Sequence, residues 1–390
     1  MIIYNAEIYS MTEDMHFYGY VEIEGSKIIA VEQGKPDKIS ESDIDANGGL
    51  LFPGFIDAHT HLGIIENGIG FEGDDCNEAS DPFTPQMRAL DGINPYDRCF
   101  EDARNAGITS VMISPGSANA CGGEMVLLKT AGRCADEMLI SSCGMKFALG
   151  ENPKTVYNDR DETPVTRMAT VALIREGLQK AKLYAEKLER FEEHPDEEEP
   201  PEYDAKCEAL LQLLEGNEKA HFHCHRSDDV ATAHRIANEF GLDLVIIHAT
   251  GAHKNADLFG EWGLSVIVGP VICDRGKPEM IDLDISCAGK LYRNGVHVAI
   301  CTDHPEVPIQ YLPLSAALAV KGGLPREAAL RAITSEAADI LGVSERIGRI
   351  QAGLDADLVL FKDDPLNIMN DPVFTMINGK IVATNKSYFS

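Results

Sequence analysis

His59-Thr60-His61 sets two imidazoles two residues apart at the end of an apolar run. On a strand, side chains at i and i+2 share a face, so both rings would point to one side. Two imidazoles so placed can hold a divalent cation. Alone, the pair reads equally as ordinary surface or hydrogen-bonded histidines. Three more polar residues end β-like runs in the same way. These are His223 within residues 221–225 (HFHCH), His248 after 244–247, and Asp303 after 296–302. A buried His or Asp without a partner is costly, and one shared cation would satisfy them together. Imidazole plus carboxylate, with no thiolate cluster, suits Zn²⁺ or a similar divalent ion. Such an ion lowers the pKa of water toward 7 and polarises a carbonyl, which is hydrolytic chemistry.

The elements that must position these residues follow from periodicity. Residues 50–61 read as one buried strand that delivers side chains to a cavity. Strand patterns recur at 108–114, 145–149, 220–223, 244–248, 264–268 and 296–302, with short segments at 126–129 and 138–142. Helical patterns lie between most of them, at 96–105 and 163–191 for example. Such alternation predicts a parallel sheet with crossover helices. Counting one of the short segments gives eight strands, a closed (β/α)8 TIM barrel. Its chemistry belongs at the C-terminal strand ends, where these His and Asp residues fall. The chain ends read differently, as short strands at 2–8, 19–24 and 27–32, then at 356–361, 373–377 and 380–383. Together these predict a small β-sandwich from residues 1–52 and 346–390 around a barrel of 53–345. The charge run at 192–204 reads as a solvated linker.

Composition narrows the partners. The 390 residues carry 34 Lys plus Arg against 63 Asp plus Glu, a formal charge of −29. Nucleic acid and anionic membranes need a basic face, so neither is expected as a partner. No run approaches the ~20 apolar residues of a membrane span, and the first residues lack the basic and apolar regions of a secretory signal. Ten scattered Cys without a CxxC pair fit reduced thiols in the cytoplasm.

Three stretches together carry a family resemblance. Residues 53–61 (PGFIDAHTH), 348–360 (GRIQAGLDADLVL) and 378–382 (NGKIV) resemble the first metal strand, the return to the β-sandwich and the last hairpin of the amidohydrolase superfamily. Within it, the chain resembles the branch of imidazolonepropionases and related cyclic-amide hydrolases. That resemblance implies one ion on His59, His61 and Asp303 and a second on His223 and His248. Asp303 would also move the proton from water to the leaving nitrogen. A carboxylated Lys or a Glu would bridge the ions, and residues 144–154 offer both Lys146 and Glu151. Lys146 is preferred, because burial within the strand would depress its pKa and favour reaction with carbon dioxide.

His225, Arg226 and His304 remain as candidate substrate contacts. The small-residue loop at 114–124 would line the pocket, Gly269-Pro270 would form its rim, and Lys154 would be available to a substrate carboxylate. The expected activity is hydrolysis of a small molecule at a C–N bond outside proteins, with opening of a cyclic amide first. Deamination comes second, since Arg226 stands where aminohydrolases of this type commonly carry Glu. Deacetylation and dipeptide cleavage follow. A metal-free structural homologue would lack ligands that this chain has, and a sugar-binding module explains none of them. Relatives of this kind commonly form homo-oligomers.

Overall fold

A computed structural model describes residues 1–13 and 16–385. The last five residues of the expected second terminal segment therefore lie outside the described residues.

Eight strands form the central sheet, in chain order: Phe55–Thr60, Ile108–Ile113, Cys121–Lys129, Leu139–Ala148, Lys219–Cys224, Asp243–His248, Ser265–Val268 and His297–Ile300. The first and last meet through side chains and loop backbone. Thr302 Oγ1 donates to Asp57 Oδ2 at 2.6 Å, and the Asp303 amide donates to the His59 carbonyl at 3.1 Å. Asp57 is fully buried, and burial pushes its carboxyl up to about 7 against the lowering effect of the Thr302 bonds.

The sheet departs from the expected all-parallel barrel at its third strand. Cys121–Lys129 runs antiparallel to both neighbours, and a loop rather than a helix connects it to the second strand. The small residues at 114–120 form that return, and Gly123, at φ 128° within the strand, lets the Met87 backbone approach closely. The short segment expected at 138–142 and the strand expected at 145–149 are one strand, Leu139–Ala148. The run at 50–61 is broken at Gly54 into Leu50–Pro53 and Phe55–Thr60, which belong to different sheets. A Cβ at Gly54 would lie 2.1 Å from Thr109 Oγ1, so no larger residue fits that crossing.

Helices cover the outside of the barrel. The longest, Arg167–Glu193, starts at Thr166, whose side chain accepts from the Ala169 amide at 3.0 Å. It buries Val171, Ile174, Leu178 and Ala181 at helical spacing. No helix among the described residues is long and apolar enough to cross a membrane.

Strands from both chain ends join in a second hydrogen-bonded series. Leu50–Pro53 pairs with Ile2–Tyr9 on one side and with Leu358–Phe361 on the other. This sheet has its own apolar cluster, including Ile3, Ile8, Val21, Leu51, Leu358 and Phe374. Beside it lies a buried ion cluster. Lys129, on the antiparallel barrel strand, meets Asp355 at 3.0 Å and also Asp357. Lys27 and Arg346 complete the pairing of Asp355 at 2.8 and 3.0 Å.

Candidate metal centre

Parallel strands end together, so side chains at their C-terminal ends converge. Here they bring two groups of possible ligands to one mouth of the barrel. His59, His61 and Asp303 form the first, and His223, His225 and His248 the second. Within each group the donor atoms lie within 4.8 Å of one another. His59 Nε2 and His61 Nε2 are 3.4 and 3.5 Å from Asp303 Oδ1. The His59 and His248 rings, one from each group, have centroids 5.5 Å apart.

Backbone carbonyls orient the rings. His61 Nδ1 faces the Ser114 carbonyl at 2.6 Å, and His248 Nδ1 faces that of Gly269 at 2.7 Å. A carbonyl only accepts, so each Nδ1 carries the hydrogen, which leaves the lone pair of His248 on Nε2. Burial alone would lower His61, but Cys76 and Asp303 beside it push its ring up to about 10, so without a metal its Nε2 also holds a proton toward Asp303. Burial drives His59, His223 and His248 well below the ordinary imidazole range. The rings are therefore neutral, the form that binds metal. Burial alone would raise the Asp303 carboxyl, but His248, His61 and Lys146 bring it below its ordinary value. His248 and Asp303 hold φ values of 75° and 56°. Such backbone is uncommon for residues with side chains and clusters at functional sites.

Lys146 lies in the fourth strand, with Nζ 3.3 Å from His59 Nε2. Burial pushes its ammonium down to about 8. His59, Lys146, His248 and Asp303 thus meet near the ends of their strands. The surrounding cavity measures about 520 Å³, and its lining includes Gly116 and Ser117 from the small-residue loop and Pro270 from the rim.

Four expected site residues are placed differently. Glu151 starts the next helix outside both ligand groups. Its amide donates to Glu279 Oε2 at 2.8 Å, and its carboxylate accepts from the Glu279 amide at 3.4 Å. A short side chain past the strand end cannot reach where the long Lys146 does. His225, expected to touch substrate, joins the second ligand group. Residues 221, 223 and 225 share the inward face, and the His225 and His248 rings stack at 4.7 Å. Arg226 turns to Asp228 in a two-pronged contact of 2.8 and 2.7 Å. It lines a neighbouring cleft with Glu151 and Lys154. His304 accepts from the Ile309 amide at 3.2 Å and lies outside the cavity lining. Burial holds it down at about 4, so it is a neutral brace for the following loop.

The sequence reading missed the loop after the seventh strand. It supplies Cys273, Lys277 and Met280 to the cavity and Glu279 behind the second ligand group. Lys277 Nζ donates to Asn152 Oδ1 at 3.1 Å, and Asn152 Nδ2 donates to Ser117 Oγ at 2.6 Å. No periodicity marks this irregular segment.

The comparisons agree with this architecture. Residues 50–382 match the model of the amidohydrolase family. Amidohydrolase tasK of Hapsidospora irregularis is 33% identical over 388 residues, which cover 93% of this chain. This chain spans only 39% of that relative's length. A crystal structure of an amidohydrolase from Thermotoga maritima is 39% identical, with a TM-score of 0.94 over 98% of this chain and 100% of that one. A prolidase complexed with N-methylphosphonate-L-proline shares the fold at 18% identity, with a TM-score of 0.63 over 98% and 99% of the two chains. With the family model matching residues 50–382, most of its length, the chain belongs to the amidohydrolase family.

Proposed function

We propose that this chain is a metal-dependent hydrolase that cleaves a C–N bond of a small molecule, an amide or cyclic amide. The observation that carries the reading is the convergence of His59, His61, Asp303, His223 and His248 around Lys146 at one barrel mouth. These donors fit divalent ions: the His59, His223 and His248 rings are neutral, the Asp303 carboxylate is ionised, and carbonyls hold the Nδ1 side of His61 and His248. Zn²⁺ suits them, and when bound it supplies acidified water and a polarised carbonyl.

Asp303 touches His59 and His61 and faces the cavity. It takes the proton from the attacking water and delivers it to the leaving nitrogen. Lys146, held near 8, presents a free amine at mildly alkaline pH. Addition to carbon dioxide would give a carbamate and release one proton, and Lys146 would then offer a carboxylate to the ions held by the two ligand groups.

Lys277 gives a specific reason to place N-acyl amino acids and small dipeptides second. It is the cation on the outer wall of the cavity, whereas Arg226 and Lys154 line the adjoining cleft. A substrate carboxylate would meet Lys277 there. The terminal sheet is read as the composite small domain, residues 1–52 and 346–390, packed on a barrel of 53–345. Ten unpaired thiols support a reducing, cytoplasmic setting.

The test is a screen of the zinc-loaded protein against cyclic amides, N-acyl amino acids and dipeptides, with Asp303→Asn as the control. Turnover of one class that disappears in the variant supports the reading. Equal turnover in the variant removes Asp303 from the chemistry.

A further inference from the structure

Glu279 is deeply buried, and its Oε1 has no hydrogen-bond partner. An ionised oxygen in that position is costly unless a cation or donor meets it. What it faces is a pair of ring nitrogens. Oε1 lies 3.9 Å from His223 Nε2 and 3.8 Å from His225 Nε2. The other carboxylate oxygen is fixed by the Glu151 amide, so Oε1 is aimed rather than free to turn away. The donor nearest the ring nitrogens is Asn152 Nδ2, 3.4 Å from His223 Nε2, and it already serves Ser117 at a much shorter distance.

Oε1 therefore stands opposite ring nitrogens of two residues in the second ligand group, and a cation held among them would be met by all three atoms. We propose that Glu279 is a ligand of the second metal site, completing it with His223, His225 and His248. The inference rests on the binuclear reading above and adds to it the charge of that site. The imidazoles bring no charge to a buried divalent ion, and the Glu279 carboxylate would add one negative charge beside the carbamate shared with the first site. Four-coordinate zinc has bonds of ~2.0–2.2 Å, so donors sit roughly 3.4 Å apart. The separations of Oε1 from the His223 and His225 nitrogens, 3.9 and 3.8 Å, exceed that by a few tenths of an ångström. Glu151 then acts as a positioning residue, holding Glu279 by the exchange of carboxylate and amide contacts.

The experiment is equilibrium dialysis against Zn²⁺ alone, with zinc per chain read by elemental analysis, on wild type, Glu279→Gln and His223→Ala. Cobalt-substituted samples give a second readout through the visible spectrum, and thermal melts confirm folding. Wild type should bind two ions. Glu279→Gln should keep the first and weaken the second at least tenfold, with a changed cobalt spectrum. His223→Ala should lose the second ion. If His223→Ala loses it while Glu279→Gln binds both ions and gives the wild-type spectrum, the role of Glu279 is overturned alone. If wild type stops at one ion, the binuclear reading falls and this inference falls with it.

Discussion

Two buried polar clusters lie on this barrel, and they are built on opposite rules. In the cluster around Lys129 every charge meets its opposite. Lys129 sits between Asp355 and Asp357, and Lys27 and Arg346 reach Asp355 from outside. At the barrel mouth the His59, His223 and His248 rings are neutral, Asp303 is shared by His59 and His61, and a Glu279 oxygen has no hydrogen-bond partner. The first cluster is complete as it stands and ties the terminal sheet to the barrel. The second gathers acceptors that a divalent cation would satisfy. Burial alone does not separate structural from chemical groups, but whether the partners are already present does.

The contrast can be broken from either side. The largest expected effect is on turnover. Asp303→Asn should lower kcat by ~10²–10⁴ while its melting temperature stays near that of wild type, as steady-state kinetics and calorimetry would show. A large loss of stability with activity kept would reverse the assignment. Lys129→Ala should do the opposite. It strands the buried Asp357 carboxylate and takes one of three cations from Asp355, an effect of about 3–5 kcal/mol in denaturant melts, with zinc per folded chain unchanged.

Lys146→Ala should lose most activity, and short-chain carboxylic acids should partly restore it by standing in for the carbamate. Absence of rescue would argue against carboxylation. Lys146 also predicts a pH signature in chelated, carbon dioxide-free protein. Its ammonium is pushed down to about 8 from an ordinary 10.5. Between these values the unfolded chain holds the proton and the folded chain does not. Its contribution to stability therefore rises with pH across that window. The stability of wild type relative to Lys146→Met should climb from pH 8 to 10, and a flat difference would contradict the assignment. Arg226→Ala should be the mildest change, within about twofold of wild-type kcat/KM, because its exposed pairing with Asp228 contributes little.

The legible part of this molecule lies where chemistry coincides with regular structure. His59, His223, His248 and Asp303 could be read because each ends an apolar strand, and strand ends converge. The third barrel strand was misjudged, because an apolar run has no mark of direction and only the length of its connection separates parallel from antiparallel. The break at Gly54 was hidden because both halves of the run are equally apolar. Arg226 and His304 follow ligands in sequence, but adjacent residues on extended backbone point to opposite faces. Glu279 left no trace, because its role depends on where a loop returns in space.

The central claim is that the barrel mouth is an acceptor set built for cations. Elemental analysis of the purified protein, produced with zinc and without added chelator, tests it most directly. The account predicts about two ions per chain, lost when His59 and His61 are both replaced by Ala together with His223→Ala. A folded protein that carries no metal and takes up none on dialysis would contradict it.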